Sequence, residues 1–302
     1  MEDHRLRAFC LVVEMQSFSK AAEAKFMTQS AISHLIKNIE DEFGVKLFIR
    51  RGGKKVIPTS AGRILYEHAK SVLSAYRVME SDMHHLVGKI KGVLSIGASA
   101  TAATYLLPQV FYNFSRTYPE ARLNLSVSNT ESVMAELYQG KIDLGMIEGR
   151  VRDEKISAEE IADDEIVLIA SDDNPLTKKK SITPQDLILQ PFIMPEAGSG
   201  TREIIDEFLR AMKIDLQELK ITMTLGDPEL LVEMVQAGLG ISFVSKWTIF
   251  KMMKEGTIKI LTIPGKRLYR KFCLVSLDED SLNMVARTFK KFVKGYSFFI
   301  PF

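Results

Sequence analysis

Cysteine and long apolar runs are scarce in this 302-residue chain, and each shortage excludes something. Cys10 and Cys273 are its two cysteines, far apart and in no CxxC or metal-ligand spacing. That excludes a disulfide framework and a structural zinc site, and fits two core thiols in a reducing compartment. No apolar stretch approaches the roughly 18 residues that would suggest a membrane span. The opening "MEDHRLRAFC" lacks the basic start, apolar run and small-residue cleavage site of a signal peptide. A cytoplasmic protein with no membrane partner is the expectation. All five histidines (His4, His34, His68, His84 and His85) precede residue 90, and no GxSxG or HExxH occurs. Catalytic residues, metal ligands and cofactors are therefore expected to be none. His84 and His85 point about 100° apart on a helix and suit solvent better than one metal. Acid pairs such as Asp163–Asp164 read as surface or hinge carboxylates.

What is present is ordinary in bulk, with 46% hydrophobic and 26% charged residues, but uneven in charge. Residues 1–90 hold 14 Lys and Arg against 10 Asp and Glu, while residues 25–65 alone hold 8 against 3. A basic N-terminal module on a near-neutral body points to an anionic partner, nucleic acid above all.

That module begins with a helix striped by Leu6, Phe9, Cys10 and Val13. "SFSKAAEAKF" follows as a short second helix, with Ser17 or Ser19 as its cap and Phe18, Ala21, Ala22 and Phe26 turned inward. In "TQSAISHLIKNIEDEFG", Thr28 can cap a third helix and Gly44 suits the left-handed position after its end. Ile32, Leu35, Ile36, Ile39 and Phe43 form its apolar stripe. Ser30, Ser33, His34 and Lys37 form a polar stripe crowded toward the N-terminal half, and Glu40, Asp41 and Glu42 cluster at the far end. "VKLFIRRGGKKVIPT" then reads as a hairpin carrying Arg50, Arg51, Lys54 and Lys55. Three short helices and a basic hairpin, residues 1–60, make a winged helix-turn-helix. The third helix enters the DNA major groove by its front half, where Gln29, Ser30, Ser33 and His34 reach base edges. Lys37, Arg50, Arg51, Lys54 and Lys55 supply phosphate contacts. Acids at the far end stay clear of phosphate.

Residues 61–90 form a long linker helix. Leu65, Ala69, Val72, Tyr76, Met79, Met83 and Leu86 step by four and three, a coiled-coil seam suited to dimerisation. From residue 91 the character changes. Strand-like "VLSIGAS", "ARLNLSVSN", "IDLGMIEG", "IVLIAS", "FIMPE", "KITMTL", "GISFVS", "TIKILTI" and "KFCLVSL" alternate with helical stretches, indicating an α/β body with largely parallel sheets.

Ligands of open α/β folds bind where strands turn into helices. Three such turns are rich in small polar residues: Ser99, Ala100 and Thr101; Asn129 and Thr130; and Gly198, Ser199, Gly200, Thr201 and Arg202. Hydroxyls beside free amides at a helix start make an anion site without a lysine cluster. "GSGTRE" has no Gly-Lys-Ser/Thr and is not a phosphate loop of the Walker type. Arg202 either points at the ligand or braces its loop against a carboxylate such as Glu196.

Residues "SFSKAAEAKFMTQSAISHLIKNIEDEFGVKLFIR" carry Ser-Phe-x-x-Ala-Ala, Gln-x-Ala-x-Ser and Gly-x-x-Leu-Phe-x-Arg elements that resemble the LysR-type transcriptional regulators, and the likeness covers essentially the whole chain. Phe26, Ser30 and Ile39 depart from the usual Leu, Pro and Leu, and His34 stands where Arg is frequent. The resemblance implies an effector-binding domain over 91–302, like the type 2 periplasmic binding proteins. Its two α/β lobes (91–163 with 268–302, and 164–267) would be joined by crossovers near Ala162–Ile166 and Pro264–Phe272. It further implies a homotetramer built as a dimer of dimers with antiparallel linker helices, promoter DNA with inverted-repeat sites, and more often activation than repression, with RNA polymerase as a further partner. "GASATAATYLLP", "NTESV", "DLGMIEG" and "EAGSGTRE" look most like the branch regulating sulfur assimilation and carbon fixation. That branch implies a small anionic effector, a sulfur oxyanion or a phosphorylated metabolite. The competing class is an anion-handling enzyme with an accessory DNA-binding domain, which the lack of a nucleophile–base pair opposes.

Overall fold

The computed structural model describes residues 4–51, 55–86 and 89–298, and the chain divides into two units, Met1–Met83 and His84–Phe302. In the first, α1 (His4–Met15), α2 (Phe18–Ala24) and α3 (Gln29–Phe43) pack around Ala8, Phe9, Val12, Ala21, Ile32, Ile36 and Ile39. Ser17 caps α2 by accepting from the Lys20 amide. Thr28 caps α3 by accepting from Ala31, and Gly44 ends it at φ 67°. Strands β1 (Phe48–Arg51) and β2 (Lys55–Pro58) pair antiparallel. Phe48 ties the hairpin to the helices, its ring 5.4 Å from Phe9 and 5.5 Å from Phe18.

Two expected core residues are not in this core. Phe26 is fully exposed. It follows the end of α2 in a left-handed conformation, φ 53°, which swings its side chain out of the stack. Phe43 is 61% exposed because it lies in the last turn of α3, where Ile39 and Leu47 already fill the inner side.

Helix α4 (Ser60–Leu86) has 27 residues, about 40 Å at 1.5 Å per residue. Its start lies tight against the hairpin: Gly62 is so close that a Cβ there would meet the Leu47 carbonyl oxygen at 2.3 Å. The apolar seam divides. Ala69 is buried, and Leu65 and Leu73 pack on the same helix–hairpin core, so Leu65 serves its own chain rather than a partner. Tyr76 is half-buried, while Val72, Met79, Met83 and Leu86 stand 41–78% exposed.

The second unit begins with β3 (Gly92–Ala98), α5 (Ala100–Tyr105), α6 (Leu107–Thr117), β4 (Ala121–Val127), α7 (Thr130–Tyr138) and β5 (Leu144–Glu148). The 15-residue β6 (Ser157–Ser171) follows. Then come α8 (Pro184–Ile188), β7 (Pro191–Pro195), α9 (Gly200–Ala211), β8 (Lys220–Leu225), α10 (Pro228–Gln236), β9 (Ser242–Ser245), α11 (Phe250–Glu255) and β10 (Ile258–Leu261). Strand β11 (Leu268–Ser276) and α12 (Met284–Lys294) complete it.

The main sheet runs β10-β6-β11-β5-β3-β4, with β9 also on β6, and β7 and β8 form a separate parallel pair. Strands β4, β3 and β5 are parallel, but β6, β9, β10 and β11 pair antiparallel. The expectation of largely parallel sheets is therefore corrected. The physical cause is that β6 and β11 pass in opposite directions between two lobes and must run against each other. The first half of β6 pairs only with β11, and its second half takes β9 and β10. One lobe packs around Phe114, Phe272 and Phe289, the other around Phe192, Ile205 and Phe243.

Candidate functional site

Two places gather polar side chains. On α3, Gln29, Ser30, Ser33, His34 and Lys37 are all exposed along one face, because residues three and four apart share a helix side while Ile32, Ile36 and Ile39 hold the other inward. Gln29 accepts from the Ser19 hydroxyl at 3.1 Å, and Ser30 shares a hydrogen bond with Thr28 at 2.9 Å. Among the described residues, Ser33, His34 and Lys37 are committed to nothing. Two of the three acids at the far end are used: Glu40 accepts from the Leu47 amide at 2.8 Å and pairs with Lys46 at 2.6 Å. Glu42 pairs with Arg5 at 2.7 Å. Arg50, Arg51 and Lys55 lie on the hairpin strands, and Lys54 lies outside the described residues.

The second place is a cavity of about 310 Å³ between the two lobes. Ser99, Ala100 and Thr101 line it from the start of α5, Asn129 and Thr130 from α7, and Ser199 and Thr201 from α9. Gly198, Gly200 and Arg202 do not line it. Gly200 instead lets α9 approach the first lobe, where a Cβ would meet the Glu148 carbonyl oxygen at 2.3 Å. Arg202 braces its loop, donating to Asp206 at 2.9 Å and the Pro195 carbonyl at 3.1 Å. The suggested partner Glu196 is occupied elsewhere.

The starts of α7 and α9 hold the lobes together. Asn129 donates to Glu196 at 2.9 Å, Gly198 accepts from the Glu131 amide at 3.0 Å, and Thr130 accepts from the Gly200 amide at 3.3 Å. Asn129 also caps α7 by accepting from Ser132. Asn129 and Thr130 thus make interlobe bonds on the cavity wall, Asn129 by donating and Thr130 by accepting, which leaves the Thr130 O–H uncommitted. Opposite, Tyr105 donates to Glu229 at 2.9 Å, and burial, helped by this bond, pushes its phenol pKa up. Ser99 accepts from the Ala102 amide. Ser199, although the N-cap of α9, makes no capping hydrogen bond. Its hydroxyl and the first-turn amides of Thr201 and Arg202, which have no intrahelical acceptor, remain available.

Behind this wall lies a buried charge cluster that sequence reading missed. Arg270 on β11 pairs in register with Asp164 on β6, and two positions along Phe272 pairs with Glu148 on β5. Alternation along strands puts all four on one face of the sheet. Arg270 Nε donates to Asp164 at 2.6 Å and Nη1 to Thr201 Oγ1 at 2.6 Å. Ser245 donates to Asp164 at 2.8 Å. Asp164 is 1% exposed, so it is a core carboxylate and not a surface one. Burial raises its pKa against the opposing pull of Arg270 and Ser245. Glu148 is 4% exposed and lines the cavity, as do Glu196 and Asp227. No Lys or Arg among the described residues lines it. The signal in sequence was Glu148 and Arg270 interrupting apolar strands "LGMIE" and "LYRKFCLVS". No group of His, Cys, Asp and Glu able to hold a metal ion occurs among the described residues.

Residues 4–63 match the model of the bacterial regulatory helix-turn-helix protein, lysR family, and residues 88–297 match the LysR substrate binding domain. The HTH-type transcriptional regulator CysL of Bacillus subtilis is 32% identical over 89% of this chain and 89% of its own length. A protein of Trichormus variabilis named "Probable RuBisCO transcriptional regulator" is 34% identical over 90% of this chain and 81% of its own. The fold superposes on full-length CbnR complexed with its target DNA with a TM-score of 0.67, at 22% identity, over 97% of this chain and 99% of that one. The Synechocystis CcmR regulatory domain in complex with 2-PG gives a TM-score of 0.61 at 25% identity, over 67% of this chain and 95% of that one. A winged helix-turn-helix matched at one end and an effector-binding domain matched over the rest, with relatives that are regulators and not enzymes, establish that the chain is a member of the LysR family of transcriptional regulators.

Proposed function

We propose that this regulator reads promoter inverted repeats through α3 and the β1–β2 hairpin, and that a small anion in the interlobe cavity changes its hold on DNA. Ser33 and His34 read base edges, helped by Gln29 and Ser30, while Lys37, Arg50, Arg51, Lys54 and Lys55 hold phosphate. Val72, Met79 and Met83 with Tyr76 form the seam of a linker-helix dimer within residues 61–90, and two dimers make the tetramer. The protein acts in the cytoplasm as an activator, with RNA polymerase as a partner. Among the described residues no helix is long and apolar enough to cross a membrane.

The observation that carries the effector reading is Ser199. A helix N-cap hydroxyl left uncommitted, on the wall of a cavity that Ser99, Thr101 and Thr201 also line, is an oxyanion cradle. The wall lacks lysine and arginine, so the anion is held by hydroxyls and amides, with Arg270 acting through Thr201. That CcmR is recorded with 2-PG, and the effector domain of QuiR with shikimate, supports a small oxygenated acid. Calorimetry with phosphate, sulfate and small phosphorylated acids tests it. Binding to the wild type that Ser199→Ala weakens is expected; equal affinity in both would move the site elsewhere.

A further inference from the structure

One group on the cavity wall has no role in holding an anion. Glu148 is 96% buried by its 4% exposure, yet among the described residues its carboxylate accepts no hydrogen bond. Its polar partner among the described residues is Arg270 Nη2 at 3.7 Å, beyond hydrogen-bond reach, and that nitrogen is itself buried without a hydrogen-bond partner among them. Asp164, which shares the same guanidinium, accepts from Arg270 at 2.6 Å and from Ser245 at 2.8 Å. Of two carboxylates on one arginine, one is satisfied and one is short of donors. Glu148 lines the cavity, so its spare acceptor capacity is open to a donor on a ligand.

The α9 side of the cavity has the opposite need. Thr201 Oγ1 accepts from Arg270, so its own O–H is left to donate to another partner. Ser199 adds a second free hydroxyl. One side of the cavity therefore donates and the other accepts. A bare oxyanion, which only accepts, satisfies half of it.

We propose that the effector is a small hydroxylated anion, and that Glu148 selects it by accepting a hydrogen bond from the effector's hydroxyl while the start of α9 holds its acid group. This rests on the cavity being the effector site. Arg270 already faces the charge of Glu148, so what is missing is a directed donor, and a hydroxyl supplies it at lower desolvation cost than an ammonium.

The test is calorimetry on the full-length protein at fixed ionic strength with sulfate, D-glycerate, 3-phosphoglycerate and L-serine. In the wild type the two hydroxylated acids bind at least about tenfold more tightly than sulfate, which carries no O–H, the worth of one hydrogen bond to a charged group. In Glu148→Gln that preference falls to near unity while sulfate affinity is retained, because the amide turns its oxygen to Arg270 and offers a donor to the ligand. Glu148→Asp, which keeps the charge but withdraws it, gives an intermediate preference and serves if the glutamine variant does not fold. Bare oxyanions binding as well as hydroxylated acids, a wild-type preference in Glu148→Gln, or serine binding best of all overturns this proposal while leaving an anion site in the cavity. Failure of every compound to bind overturns the cavity reading itself, and this proposal with it.

Discussion

The polar face of α3 and the interlobe cavity are built on opposite plans. On α3 the side chains proposed to meet DNA are exposed and largely uncommitted, and two of the acids at its far end are tied down by Lys46, Arg5 and the Leu47 amide. In the cavity many polar groups are already bonded inside the protein, while Ser199 makes no capping hydrogen bond, Thr201 keeps its own O–H and Glu148 reaches Arg270 only at 3.7 Å. The difference teaches how each surface recognises. A large polyanion is met by free groups on a rigid helix, whereas a small ligand is met by the few valences that a closed hydrogen-bond network leaves open.

The most severe way to break the contrast is to remove its shared charge. Arg270→Met leaves Glu148 and Asp164 buried without a counter-ion, and loss of one partner of a buried pair costs about 3–5 kcal/mol. Urea denaturation should show that loss, and a change under about 1 kcal/mol would mean that the cluster is not ionised as described. Breaking the seam should act on DNA rather than on the fold. Val72→Asp or Met79→Asp places a charge in a dry contact and dissociates the dimer, so affinity for a two-half-site fragment collapses while thermal stability of the monomer barely changes. Sedimentation showing the wild-type assembly for both variants would remove this seam from the interface.

On α3 the effects are smaller and separable. Ser33→Ala and His34→Ala should change base preference by roughly 1–3 kcal/mol at single positions. Lys37→Ala should weaken all sequences alike and lower the logarithmic salt slope by about 0.9. Anisotropy titrations across operator variants and salt concentrations read both. Identical profiles in all three would place the groove contacts elsewhere.

Asp164 sharpens the comparison through pH. Its folded pKa is raised by burial above the ordinary 3.8, so the folded state holds its proton more tightly than the unfolded chain. Its contribution to stability is therefore greatest in acid and declines as pH rises from 3.8 through the folded value. The stability of the wild type relative to Asp164→Asn should fall across that window and then level off. A rise with pH would reverse the assignment of burial as the dominant cause. The smallest effect belongs to Phe26. Because the side chain is fully exposed at φ 53°, Phe26→Asn should change stability by no more than about 0.5 kcal/mol.

Much of the N-terminal module is legible in sequence because it is local. Thr28, Gly44 and the spacing of Ile32, Ile36 and Ile39 define α3 within one stretch of chain. What escaped there was also local but steric: one left-handed residue sent Phe26 outward, and the end of a helix left Phe43 exposed. The cavity was legible only in part. Ser99, Thr101, Ser199 and Thr201 announce themselves as hydroxyls at helix starts. Their division of labour does not, because Thr130 accepts from Gly200 and Thr201 from Arg270 across separations of 70 and 69 residues. Glu148, Asp164 and Arg270 meet through cross-strand register, and the antiparallel passage of β6 and β11 that brings them together leaves no periodic trace. Two of the seven seam residues, Leu65 and Ala69, pack on the helix–hairpin core of their own chain, which heptad spacing alone does not reveal.

The central claim is that filling the cavity changes the hold of α3 on DNA. The direct measurement is fluorescence anisotropy of the full-length protein on a fragment of its own promoter, with and without saturating 3-phosphoglycerate, in the wild type and in Ser199→Ala. A ligand coupled to the DNA-binding state should shift wild-type affinity by roughly 5- to 150-fold. The shift should be lost at the same ligand concentration in Ser199→Ala, whose affinity for DNA alone is unchanged. Equal shifts in the two proteins, or unchanged DNA affinity once calorimetry shows the wild-type cavity filled, would contradict the account.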